Sequence, residues 1–455
     1  MNSIGKVNYV SYDKLSFEIT DFNKLEFNNN GNYYFAKGIL DFITIINNQN
    51  EKFIYQIEKI EDTEKSLSLN ENSKFKYTAN VICNPIGIIE DNKINFNLKT
   101  YPFLQNKVYL TNKEEFSIIF DTNINNPISL GLINEQYSAK LDINKLLTFH
   151  SAVLGNTGSG KSTTIRQLLR EIQNYDYDNL KIHVFDVHDE YSKLNDVSVI
   201  DVLNDYQISL KDLELQDWIN LIKPSDLVQL PVLQRALKLS NALNKEKITK
   251  SQLNCFCAYN EYHFSAEGGT AVAKVKYLLR NEKNIRHKEE LYLTFGNRLD
   301  KEKEKEFKDD LKKAFEINNF ENEIIDFEIY LQKQIEQAEY KINSFENLKE
   351  SLNYVFLLEE SKGNNRARAN SGTMETRIST IEEHYHKLFD EKQMKQDNNL
   401  INVYNVSNLD DDLLLFFSSY YCKKVLQNNK SKKINERDIN IFLIEENKRY
   451  ISRSK

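Results

Sequence analysis

Short runs of Ile, Phe, Tyr and Val, broken by Asn-, Asp- and Lys-rich turns, fill the first 120 residues. Phe35–Ile46, Phe53–Ile60 and Tyr77–Ile89 are the strongest runs, and Tyr101-Pro102 with Lys107–Leu110 adds a turn and a further strand. Many short strands at this spacing predict a small barrel or sandwich. Ile128–Ile133 and Tyr137–Ile143 predict a hairpin around Asn134-Glu135. The apolar run Ser151–Leu154 reads as a buried strand. After it, Ile165, Leu168, Leu169 and Ile172 recur at helical spacing, and Lys181–Asp186 predicts a parallel strand. Strand, helix, strand is the crossover unit of an open α/β sheet.

From Asn204 to Gln396 the pattern turns helical. Trp218–Leu243 carries that period, interrupted at Pro224 and Pro231, and Leu293–Leu358 is long, charged and helical. Its charges alternate in sign, as on a solvated face. Strand character returns at Leu400–Val406 and Ile439–Ile444. Between them, Asp410–Leu426 predicts a helix with Leu414, Phe417, Tyr421 and Val425 on one stripe. The expected organisation is a β-barrel over 1–125, the first part of an α/β core over 126–203, a helical insertion over 204–396, and the second part of the core over 397–455.

The chemistry concentrates where strand meets helix. Gly155, Gly160, Lys161 and Ser162 fit G-x-x-x-x-G-K-[ST], the phosphate-binding loop. Glycine is scarce, 13 in 455 residues, yet Gly155, Gly158 and Gly160 crowd into six positions. Residues without side chains let successive backbone N–H groups line a concavity for polyphosphate, and the following helix adds its N-terminal donors. The nucleotide-binding candidates are Gly155, Asn156, Thr157, Gly158, Ser159, Gly160, Lys161, Ser162 and Thr163. Lys161 is expected to reach the β- and γ-phosphates of ATP, Ser162 to offer its hydroxyl to Mg²⁺, and Thr163 to lie near the α-phosphate.

The strand INIFLI ends in Glu445-Glu446. An apolar strand with acids at its carboxyl end is the expected partner of a phosphate loop. Glu445 is then the Mg²⁺ residue, and Glu446 is the catalytic residue that polarises the attacking water. Asp186 and Glu190, at another strand end, are weaker candidates for ordering that water or the metal shell. Loop polarity and a helix cap are the alternative explanation.

Composition narrows the picture. A net charge of −7 gives no global basic signal, so any nucleic-acid contact is local. Arg366, Arg368 and Arg377 form one such patch, readable as a phosphate contact or as an interhelix loop. Of the four cysteines only Cys255 and Cys257 are close, as C-x-C without a second pair, and His384 and His386 have no companions in sequence to complete a metal site. No signal core or membrane-length apolar run is present, so a cytoplasmic, reducing setting is expected. About ten residues follow the acidic pair, which reads as a fragment or a truncated product. No LSGGQ-like segment supports a transporter ATPase.

In their order, HSAVLGNTGSGKSTT, FDVHDEYS, NVYNVSNLDDD and IFLIEENKRYI resemble the HerA-like translocase ATPases, relatives of FtsK. The segments NPIGIIEDN and YPFLQNKVYLTNKEE are similar to that family's N-terminal barrel. The resemblance implies a RecA-like core, a homohexameric ring enclosing double-stranded DNA, and a nuclease such as NurA or another effector as partner, in DNA-end processing or anti-phage defence. It implies that Lys161 and Ser162 serve the nucleotide, and Glu445 and Glu446 the metal and the water. Where the family often continues Glu-Glu-Ala-His, this chain has Asn447 and Lys448. An oligomeric, nucleotide-gated scaffold for a defence effector is the alternative, as is a chain that binds nucleotide without hydrolysing it.

Overall fold

The computed structural model describes residues 3–29, 32–36, 38–62, 78–120, 127–133, 137–177, 179–264, 268–291, 299–316, 323–364, 366–391, 394–395 and 399–446. The chain divides into two compact units, Met1–Tyr177 and Asp178–Lys455.

Among the described residues the first unit opens with the strands β1 (Gly5–Val10), β2 (Leu15–Ile19), β3 (Glu26–Asn29), β4 (Asn32–Phe35), β5 (Phe42–Ile46), β6 (Lys52–Asp62), β7 (Ala79–Glu90), β8 (Lys93–Asn95) and β9 (Lys107–Leu110). Six of them run in the order β2-β1-β9-β5-β6-β7, and β7 pairs back onto β2, so the sheet closes into the barrel that the strand pattern predicts. Closure removes the free edges that an open sheet would expose. Register shifts along β6 and β7, at Ile54/Tyr55 and Ile57/Lys59, provide the bends that closure needs. Alternate residues point inward: Val7, Leu15, Phe17, Ile43, Ile45, Phe53, Val81, Cys83 and Val108 are fully buried. Gly5 has no substitute, because a Cβ there would stand 2.4 Å from the Glu18 carbonyl oxygen of β2.

Helix α1 (Lys113–Phe120) leans on the barrel. Its buried Glu115 accepts from Thr44 Oγ1 at 2.8 Å and from Lys52 Nζ at 2.8 Å, so the charge is paired where water is excluded. Strands β10 (Pro127–Ile133) and β11 (Tyr137–Asp142) form the predicted antiparallel hairpin; its turn at Asn134-Glu135 lies outside the described residues. Helix α2 (Ile143–Thr148), capped by Asp142, and helix α3 (Lys161–Gln173) follow.

One expectation fails here. Ser151–Leu154 forms no strand, and Leu154 is 90% exposed. An apolar run becomes a strand only when it finds a ladder partner. Beside it β10 and β11 pair with each other, and no described strand pairs with 151–154.

The second unit holds a four-stranded parallel sheet built from β12 (Leu180–Asp186), β13 (Val197–Asp201), β14 (Ile401–Asn405) and β15 (Ile439–Ile444). Its order is β13-β14-β12-β15, every pair parallel. The chain is thus α/β, with a helical insertion separating strands that are neighbours in the sheet. Buried His183 of β12 bridges Tyr421 OH at 2.9 Å and Asn440 Oδ1 of β15 at 2.9 Å. Tyr421 belongs to α13 (Asp411–Ser431), whose apolar stripe is the predicted one.

The insertion comprises α4 (Val202–Asp205), α5 (Leu215–Ile222), α6 (Gln229–Asn244), α7 (Lys250–Phe264), α8 (Gly268–Leu279), α9 (Lys301–Phe315), α10 (Glu323–Gln337), α11 (Phe345–Ser361) and α12 (Ala367–Phe389). Helix α5 stops before Pro224, as expected. Pro231 does not interrupt α6 but sits in its first turn, where no intrahelical N–H bond is lost. Trp218 is fully buried and its indole donates to the Tyr340 carbonyl at 3.0 Å. Cys255 and Cys257 are core residues of α7, and burial pushes both thiols up to about 12. The Arg366–Arg377 segment is helical from Ala367 on rather than a loop, with Arg366 at the N-cap. Arg368 lies over the Phe356 ring and Arg377 donates to the carbonyls of Ile222 and Lys223, so both serve the packing of α12. His384 and His386 also lie on α12.

Phe17 fills the barrel, whereas Phe103 is 77% exposed. Phe17→Ala is expected to destabilise the first unit by about 3–5 kcal/mol. Phe103→Ala should stay within about 0.5 kcal/mol of the parent. Thermal unfolding of the two variants checks the contrast.

Candidate functional site

The glycine-rich loop lies in the first unit, ahead of α3. Gly158 and Gly160 take left-handed conformations, φ +80° and +90°, and a Cβ at either would meet open space. Backbone conformation, not crowding, calls for glycine there. Gly155 is different: a Cβ would fall 2.4 Å from Ser159 Oγ. The Ser159 N–H donates to the Asn156 carbonyl at 3.1 Å and closes the turn. Gly160 caps α3 without a side chain, so no side-chain oxygen occupies the donors of the first helical turn. Leu169 and Ile172 bury the opposite face of α3 and fix the helix beneath the loop.

Lys161 begins α3, and its Nζ donates to the carbonyls of Gly155 at 2.9 Å and Asn156 at 3.0 Å. The ammonium therefore lies over the loop. Ser162 and Thr163 stand in the first helical turn. Residues 151–159 are solvent-exposed. An open cradle of backbone donors, a helix N-terminus without a side-chain cap and a lysine over it fit a polyphosphate.

The acids lie in the second unit. Asp186, fully buried at the end of β12, accepts from the backbone N–H groups of His188 (3.3 Å), Glu190 (3.0 Å) and Tyr191 (2.9 Å). Both of its oxygens are thus engaged in shaping the turn after the strand. Glu445 comes directly after β15, and its Oε1 accepts from Tyr191 OH at 2.7 Å. Its Oε2 is buried and has no partner among the described residues, and Glu190 Oε2 is in the same state. Burial pushes the Glu445 carboxyl above the usual carboxylate range; the charges of Asp186 and Glu190 push the same way, against the Tyr191 hydroxyl and the Val187 backbone. Glu446 is exposed, takes φ +48°, and stands 3.3 Å from His188 Nε2. Asn447 and Lys448 lie outside the described residues.

Partnerless carboxylate oxygens are donors of the hard type that suits Mg²⁺, which commonly takes one or two carboxylates together with water and phosphate oxygens. No group of three His, Cys, Asp or Glu among the described residues could hold a metal. No described helix is long and apolar enough to cross a membrane.

Tyr191 and His188 went unassigned in the sequence. Their only signal is position, five and two residues past the strand-end Asp186. Asp186→Ala would strand three backbone donors, a loss of about 2–3 kcal/mol. Faster amide exchange confined to 187–191 is the expected signature, and hydrogen-exchange mass spectrometry reads it.

The chain is 32% identical over 135 residues to a protein called a probable helicase in Methanocaldococcus jannaschii, covering 29% of this chain and 25% of that protein. It is 30% identical over 205 residues to the DNA double-strand break repair helicase HerA of Sulfurisphaera tokodaii, covering 44% and 38%. The chain thus spans between a quarter and two fifths of the length of these relatives. A structural similarity to VirB4 of Thermoanaerobacter pseudethanolicus covers 72% of this chain and 71% of that one, with 14% identity and a TM-score of 0.32. The sequence profile of the HerA helicase central domain matches residues 128–425, well over half of the chain, and the protein therefore belongs to the HerA helicase family.

Proposed function

We propose that the chain is an ATP-hydrolysing subunit of a HerA-type DNA translocase. The observation that carries this reading is the glycine cradle at Gly155–Gly160, open ahead of α3 with Lys161 lying over it. Family membership and the carboxylates at the end of β15 support it.

In this reading the loop amides and the N-terminus of α3 bind the polyphosphate of ATP. Asn156, Thr157 and Ser159 contribute backbone, so their side chains matter less than the conformation they permit. Lys161 exchanges the Gly155 and Asn156 carbonyls for the β- and γ-phosphates. Ser162 and Glu445 hold the Mg²⁺ shell, and Thr163 lies near the α-phosphate. When bound, Mg²⁺ neutralises the charge that builds on the transferring phosphate. Glu446 orients the attacking water and takes its proton. Asp186 keeps the turn after β12 in shape, and Glu190 adds negative charge beside Glu445.

The further reading is a homohexameric ring that encloses double-stranded DNA and moves it on ATP turnover. A nuclease or another effector protein works with it, in DNA-end processing or anti-phage defence. Family membership supports this part, and the net charge of −7 requires that DNA meet a local basic lining.

Lys161→Ala and Glu446→Gln should each lower ATP turnover by about 10²-fold or more. Glu446→Gln should still bind a fluorescent ATP analogue. Duplex DNA should raise the turnover of the parent. Turnover indifferent to Lys161 sinks the ATPase reading, and turnover indifferent to DNA turns the protein into a nucleotide-gated scaffold.

A further inference from the structure

Two acids end β15, and a single turn of the neighbouring strand meets both. The parallel ladder between β12 and β15 closes with the pair Phe185 and Ile444. Asp186 and Glu445 are therefore the first residues beyond the ladder on adjacent strands. Register alone delivers the segment after Asp186 against the segment after Ile444.

The segment after Asp186 is a turn with little freedom. The buried carboxylate of Asp186 gathers the N–H groups of His188, Glu190 and Tyr191, and Asp189 is held at φ +56°. Such a conformation is uncommon for a residue with a side chain and persists when surrounding bonds impose it. Tyr191 is 1% exposed, so its ring cannot swing out, and its hydroxyl donates to Glu445 Oε1 at 2.7 Å. With one oxygen of Glu445 committed, the direction of the other is set. That other oxygen, Oε2, is the buried one without a partner among the described residues. Glu446, at φ +48°, has also left the strand conformation, and His188 Nε2 stands 3.3 Å from its Oε1.

We propose that the Val187–Tyr191 turn is the positioning element of the hydrolytic site: Tyr191 aims the carboxylate of Glu445 and His188 that of Glu446. This deepens the proposed function and rests on its assignment of those two acids to ATP hydrolysis. Neither Tyr191 nor His188 touches a reacting atom in this account. Each acts through an acid, much as outer-shell partners orient the ligands of a metal site.

The test uses the full chain as parent, Tyr191→Phe, Glu445→Gln, the double variant and His188→Ala. Tyr191→Phe keeps the buried ring and removes only the hydroxyl. The first readout needs no turnover: affinity for a fluorescent ADP without Mg²⁺, and the gain in affinity when Mg²⁺ is added. The second is ATP turnover as a function of Mg²⁺ concentration. Tyr191→Phe should bind the fluorescent ADP without Mg²⁺ within about twofold of the parent, a readout that misfolding would not spare. It should lose much of the Mg²⁺-dependent gain and need roughly tenfold more Mg²⁺ for half-maximal turnover. In the Glu445→Gln background the tyrosine change should add nothing, because the two act as one unit. His188→Ala should lower maximal turnover and leave the Mg²⁺ requirement in place.

A Tyr191→Phe variant with the parent's Mg²⁺ dependence overturns the inference, and so do effects of Tyr191→Phe and Glu445→Gln that simply multiply. A His188→Ala variant that turns over like the parent removes His188 from it. A parent with neither turnover nor an Mg²⁺-dependent gain overturns the proposed function itself, and this inference with it; a parent that turns over with an indifferent tyrosine overturns the inference alone.

Discussion

A carboxylate cannot be buried at the end of an apolar strand unless donors meet it there. The second unit meets this constraint at Asp186, whose two oxygens take three backbone N–H groups and sit beyond the reach of water. A carboxylate in that position fixes the chain that supplies its donors. The shape of the turn, the inward pose of Tyr191 and the restrained carboxylate of Glu445 all descend from it. Glu445 is then only partly compensated. It keeps one oxygen without a partner among the described residues, and its carboxyl is raised by burial and by its acidic neighbours. In the proposed function that oxygen is the one that serves the Mg²⁺ shell.

The two units solve different physical problems. The barrel closes on itself through β2 and β7, so its core of alternating inward residues needs no neighbour to complete it. The parallel sheet of the second unit is covered by helices whose apolar faces form one continuous core with it, from Phe185 through Trp218 to Tyr421. The helical insertion is therefore part of the cover of the sheet. His183, buried and bonded to both Tyr421 and Asn440, ties α13 and the acid-bearing strand to β12 and adds to the ladder's hold on register. Register matters here because a slip of one residue on β15 would turn its side chains to the other face and part Glu445 from Tyr191.

Much of this is legible before any coordinates. Ile439–Ile444 matches its predicted strand residue for residue, because an apolar run bounded by Asp438 and Glu445 admits no other reading. Helix α13 and the hairpin β10–β11 follow from period and turn residues alone. The barrel was legible as a class, but the pairing that closes it was not, since Leu15–Ile19 meets Ala79–Cys83 with β3 to β6 between them in the chain. Nor was the fate of Ser151–Leu154, whose composition suits a strand but which has no described partner. The helix across Arg366–Arg377 was hidden by its polar, small residues, and its helical state comes from packing of Ala367, Met374 and Ile378. Of the site, the glycine cradle and the two acids could be read from motif and strand end. The role of Asp186 was left open between ligand and cap, and Tyr191 carried no signal beyond its position after Asp186, because a single hydroxyl aimed across a ladder leaves no trace in spacing.

The proposed function requires that one nucleotide be served by residues far apart in the chain, the loop at Gly155–Ser162 and the acids at Glu445-Glu446. The most direct measurement is a crystal structure of the chain with Mg²⁺ and a non-hydrolysable ATP analogue. The account predicts the polyphosphate against the loop amides with Lys161 Nζ on its terminal phosphates, Glu445 in the water shell of Mg²⁺, and Glu446 facing the terminal phosphorus through a water. A nucleotide bound elsewhere, or bound at the loop with both acids turned away from the metal, would contradict it.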